Sequence, residues 1–169
     1  MQKRKIWLAA MALSLVVPAV ANSAELNIEF EDADSYSDIQ PGERNRSQHQ
    51  SQVLEGFEGI FTDLAQQLPD DQVLHIKVTD IDLAGYVTPV PRDGGLYMMR
   101  IVRHGHDPSI RFEYRLVDSN DQVVGEGEES LRGRTANDSV RQSPSVASES
   151  LRHERDMLER WFRSTFDFH

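Results

Sequence analysis

Residues 109–131 read SIRFEYRLVDSNDQVVGEGEESL, and this stretch decides the fold class. Ile110, Phe112, Tyr114 and Leu116 alternate with Arg111, Glu113 and Arg115. That period of two gives a strand one apolar and one polar face. Asp118, Ser119, Asn120 and Asp121 form a turn, and residues 123–131 return as a second strand. A loop of two or four residues keeps the faces matched. Either length sets Tyr114 opposite a glycine, Gly125 or Gly127, and an arginine opposite a glutamate. A hairpin with one apolar face needs a layer to cover it.

Upstream, residues 73–83 read VLHIKVTDIDL. Leu74, Ile76 and Val78 face one way against His75 and Lys77, but Ile81 and Leu83 fall on the other parity. A period-two pattern cannot change face without an extra residue, which predicts a bulge or strand end near Thr79 and Asp80. Residues 96–103 are apolar on both faces for much of their length, which predicts a central strand. The preceding residues, with Pro89, Pro91, Asp93, Gly94 and Gly95, read as a loop. Leu26, Ile28 and Phe30 alternate as a first strand.

Two helices supply the covering layer. Val53, Phe57, Ile60, Phe61, Leu64 and Leu68 make one stripe over residues 47–68, closed by Pro69. Leu151, Leu158, Trp161, Phe162 and Phe166 make another over residues 148–166, with Glu154, Arg155, Glu159 and Arg163 assigned outward. The expected architecture is α+β: a two-layer sandwich, β-α-β-β-β-β-α, one mostly antiparallel sheet covered on one face by two helices. A right-handed crossover through the first helix makes the first two strands parallel.

The chain starts with Lys3, Arg4 and Lys5, an apolar run over residues 6–17, Pro18, and then Ala19, Val20 and Ala21. This is the pattern of a secretory signal peptide over residues 1–21, too short to span a bilayer and followed by small residues at a cleavage site. Residues 22–169 then form a single α+β domain, with the polar stretch 132–150 read as a mobile loop. The chain has no cysteine, so an exported domain must rely on packing rather than disulfides. Without the signal it carries 15 basic residues against 28 acidic ones, a balance of −13. Such a surface repels phosphate backbones and anionic lipid, so nucleic acid and membrane insertion are not expected. The partner expected is an envelope protein or a small ligand.

Candidate sites are sparse. Asp80 and Asp82 flank the parity switch, where bulges favour functional positions, and Arg132 opens the polar stretch; these three are the expected binding residues. A carboxylate pair also suits acid–base work, which makes an enzyme built on Asp80 and Asp82 one alternative. His104 and His106 on a glycine turn, with Asp107, have the donor types for a divalent metal, the other alternative. Asp32, Asp34 and Glu43 mimic the spacing of a calcium loop, but Tyr36 and Ser37 stand where an oxygen ligand and a glycine belong. No cysteine or Gly-x-Ser-x-Gly nucleophile is present and no required cofactor is implied, so the reading leans away from an enzyme.

Three stretches carry a resemblance: Val78 to Gly85 (VTDIDLAG), the hairpin from Tyr114 through Arg132, and Leu158 to Phe162 (LERWF). Together they resemble an exported Gram-negative family catalogued as domain of unknown function 3016. The resemblance implies a periplasmic location and carries no activity and no catalytic residues. The function expected is a soluble periplasmic, non-catalytic binding or accessory domain.

Overall fold

The computed structural model describes residues 24–39, 46–92, 94–135 and 151–166. The signal segment, Glu43 and positions 136–150 lie outside them. In chain order the elements are β1 (Glu25–Phe30), α1 (Arg46–Ala65), β2 (Val73–Asp82), β3 (Tyr86–Arg92), β4 (Gly95–Ile101), β5 (Ser109–Val117), β6 (Val123–Arg132) and α2 (Arg152–Thr165). The fold is α+β. Its body is a four-stranded sheet in the order β1-β2-β5-β6, parallel between β1 and β2 and antiparallel elsewhere. No described helix is long and apolar enough to cross a membrane.

The bulge falls where the parity switch demands it. Val78 pairs with Phe112 and Asp80 with Arg111, leaving Thr79 as the extra residue. One inserted position lets Val78 and Ile81 both enter the core, where neither is exposed to solvent. The β5–β6 register sets Tyr114 against Gly127 and Arg115 against Glu126. A Cβ on Gly127 would stand 2.9 Å from Cε1 of Tyr114, so the bare glycine lets the ring lie across the strand. Tyr114 then joins Trp161 and Phe166 in edge-on contacts that tie β5 to α2.

Both helices pack on the same face of this sheet. Phe57, Phe61, Phe112, Leu158 and Phe162 are fully buried between the layers. Phe61, Phe112 and Trp161 meet edge to face, the geometry that aligns ring edges with the electron-rich faces. No described helix lies over the opposite face of the sheet.

Two expectations fail. Residues 86–92 are a strand rather than a loop, so the described residues hold six strands where five were expected. Residues 96–103 are not central: among the described strands β4 pairs only with β3, as a separate two-stranded ribbon. Proline is a loop signal in sequence, but a two-stranded ribbon has an outer edge on each strand, where a missing N–H breaks no ladder bond. Apolar residues on both faces marked a ribbon left partly bare, with Leu96 and Met98 exposed, rather than a strand buried on both sides.

Candidate functional site

The chain turns out of β2 at Leu83, Ala84 and Gly85, a corner to which Arg100 donates hydrogen bonds and from which Glu154 accepts one. Gly85 has φ of +87°, and a Cβ there would lie 2.3 Å from the carbonyl oxygen of Ile101. Only glycine fits, because both the backbone conformation and the space exclude a side chain. Its N–H donates to the carbonyl of His106 at 2.9 Å, joining this corner to the His104 turn.

A strap formed by residues 36–39 runs beside the bulged end of β2. The Tyr36 hydroxyl donates to the Val78 carbonyl (2.9 Å), Asp38 N–H to Ile81 (3.1 Å), and Leu83 N–H to Asp38 (3.0 Å). Asp80, only 8% exposed, accepts from the Ser37 N–H at 2.7 Å, the Ser37 hydroxyl at 2.9 Å and the Arg111 guanidinium at 3.0 Å. Three donors around a buried carboxylate describe an anchor for the strap. Arg100 reaches back from β4 to donate to Asp38 at 2.9 Å and to the carbonyls of Leu83 and Ala84. Its guanidinium thereby fastens the ribbon to the corner.

Asp82 differs from both neighbours. It pairs in register with Asp38 on one side and Ser109 on the other, and Ser109 pairs with Arg132. Burial is the largest influence on its carboxyl and pushes its pKa up. Asp38 and Asp80 push the same way, and Arg100 and Arg132 oppose them. The structure therefore brings Asp80, Asp82 and Arg132 to one end of one face, with Asp80 committed to the strap. Arg132 ends β6, Gly133 N–H donates to Pro108, and Thr135 is buried, so the polar stretch is anchored through Thr135.

His104 and His106 are exposed on their turn, with the His106 ring against Tyr86. Asp107 accepts from the N–H of Thr135 at 2.8 Å and from its hydroxyl at 2.9 Å, and the N–H bond in particular lowers its pKa. Among the described residues no three His, Asp or Glu side chains are grouped to hold a metal ion. In the calcium-like segment, the Asp34 carboxylate accepts from Gln50.

Glu154 corrects the outward assignment: it is 1% exposed, and so is not part of a solvated face. One carboxyl oxygen accepts from the Ala84 N–H at 2.8 Å; the other, buried, has no partner. Burial raises its pKa, against the Ala84 N–H bond and the pull of Arg100. The sequence did hold the signal, since Glu154 lies three residues after Leu151 and four before Leu158, on the apolar stripe itself. His153 is buried as well, which lowers its pKa.

Comparison with known proteins adds a family and little else. The sequence profile described as "Protein of unknown function (DUF3016)" matches residues 24–164. No curated protein matches the chain. Among solved structures, the hypothetical protein CT253 from Chlamydia trachomatis aligns at 10% identity over 86% of this chain and 94% of its own, with a TM-score of 0.34. A minor lipoprotein from Acinetobacter baumannii aligns at 9% identity over 84% of this chain and 88% of its own, with a TM-score of 0.25. Superpositions this loose carry no argument.

Proposed function

The chain belongs to the DUF3016 family, and from that premise we propose that it is an exported, non-catalytic binding or accessory domain of the cell envelope. The observation that supports this reading is the face of the four-stranded sheet that no described helix covers. Asn27, His75, Arg115 and Glu126 form one cross-strand row on it, and Glu29, Lys77, Glu113 and Glu128 the next. These two rows line an open concavity of about 620 Å³. Two residues further along each strand from Arg111 and Ser130, the same face ends in Asp82, Ser109 and Arg132. Strands hold such side chains at fixed spacing, which suits recognition better than a loop would.

Site-specific photo-crosslinking in cells tests the reading. A crosslinking residue replacing Ser130, on the open face, should capture an envelope component. The same residue at Glu58 or Arg160, on the outer sides of the helices, should not. Capture from the helical side alone, or recovery of the protein from cells with residues 1–21 uncleaved, would overturn it.

A further inference from the structure

The last row of the sheet holds two opposite charges that make no ion pair among the described residues. Asp82, Ser109 and Arg132 stand side by side on β2, β5 and β6. Their chain neighbours Ile81, Ile110 and Leu131 point into or against the core, so these three point to the open face. Among the described residues, none of the three side chains makes a hydrogen bond or an ion pair. Neighbouring charges at this end have partners: Asp80 pairs with Arg111 and Asp38 with Arg100, while Asp107 accepts from Thr135.

The spacing limits what can sit there. Neighbouring strands are about 4.8 Å apart, so Asp82 and Arg132 rise from backbones about 10 Å apart. Side chains stand roughly perpendicular to a sheet, so the charged ends have a comparable gap. Two charge-assisted hydrogen bonds of about 2.8 Å fill just over half of it. The remainder suits an ammonium and a carboxylate carried on one carbon. A bare cation would face Arg132 and Arg100, and a bare anion would face Asp38, Asp80 and Asp82. A ligand with both charges meets neither penalty. It would also supply a partner for a partly buried carboxylate that lacks one.

We propose that Asp82, Ser109 and Arg132 form a binding site for a small zwitterion of the α-amino-acid class, with its ammonium on Asp82, its carboxylate on Arg132 and the Ser109 hydroxyl between them. This rests on the reading of the open face as the working surface, and it names the ligand chemistry of that face.

Titration of the isotope-labelled full chain with L-alanine, N-acetyl-L-alanine and L-alaninamide, followed by amide chemical shifts, tests the proposal. L-alanine should give saturable shifts at Asp82, Ser109 and Arg132. Each capped analogue should bind at least tenfold more weakly, since each lacks one charge. Arg132→Gln should weaken L-alanine at least tenfold while leaving L-alaninamide unchanged. Asp82→Asn should weaken L-alanine equally while leaving N-acetyl-L-alanine unchanged, a crossed pattern that a loss of fold cannot produce. Absence of saturable shifts with L-alanine, or equal binding of the three probes, overturns the site. If Ser130 crosslinks persist in that case, only the zwitterion is lost. If L-alanine binds and crosslinks come from the helical side alone, the accessory-domain reading falls and the zwitterion site stands.

Discussion

Phe112 and Glu113 are neighbours on β5, yet they live in different solvents. Phe112 faces the helices, fully buried against Phe61 and Trp161. Glu113 faces water, opposite Lys77 on one strand and Glu128 on the other. The two faces of one sheet thus divide the work. The covered face fixes register, because a slip of one residue would turn Phe112, Ile110 and Leu116 outward. The open face is released from that duty and holds rows of charge at regular spacing. Changes on one face should register as stability, and changes on the other as binding.

The sharpest test of that division is a pair of adjacent substitutions. Phe112→Ala should cost about 3–5 kcal/mol in denaturant unfolding, through lost transfer energy and the cavity left behind. Glu113→Ala should stay within about 0.5 kcal/mol. Comparable losses from the two would mean that the open face is part of the core.

The corner that joins the faces should come next. Gly85→Ala places a Cβ against the Ile101 carbonyl in a left-handed backbone, a conformation that costs about 1–3 kcal/mol before the contact is counted. Thermal unfolding should show the loss. An unchanged midpoint would mean that the ribbon is not fastened as described.

Glu154 makes the covered face sensitive to pH. Its folded pKa is raised, so the folded state holds its proton more tightly than the unfolded chain does. Its contribution is fully present below the ordinary glutamate range, and it is lost as pH rises through the raised value. Glu154→Gln keeps an acceptor for the Ala84 N–H and should flatten stability against pH on that side. The lowered pKa values of His49 and His153 act in the opposite sense. Their contribution is present above about pH 6.5, the unfolded histidine value, and fades as pH falls through the folded values. A Glu154→Gln profile that still falls with rising pH would assign that slope to another group.

The smallest effect belongs to the open face. Glu113 and Glu128 are direct cross-strand partners of like charge, an arrangement that destabilises a sheet. Glu128→Lys should stabilise by about 0.2–1 kcal/mol at low salt, with the gain shrinking as salt is added. A loss in place of a gain would mean that the two carboxylates are held by something other than each other.

The alternation in residues 109–131, the helical stripes and the parity switch in residues 73–83 were enough to yield the α+β class, the parallel β1–β2 pair, a bulge or strand end near Thr79 and Asp80, and a glycine, Gly125 or Gly127, opposite Tyr114. All of these follow from local period and from the rule that apolar faces must be covered. The sequence also brought Asp80, Asp82 and Arg132 forward as candidates. Only the tertiary structure decided that Asp80 is spent on Ser37 and Arg111, while Asp82 and Arg132 stand in one row with no hydrogen bond or ion pair among the described residues. It alone set β3 and β4 apart as a ribbon and put Glu154 in the core. The reason is physical: period reports which face a residue takes, but a charge acquires its partner from whatever other strand, strap or helix is packed against that face.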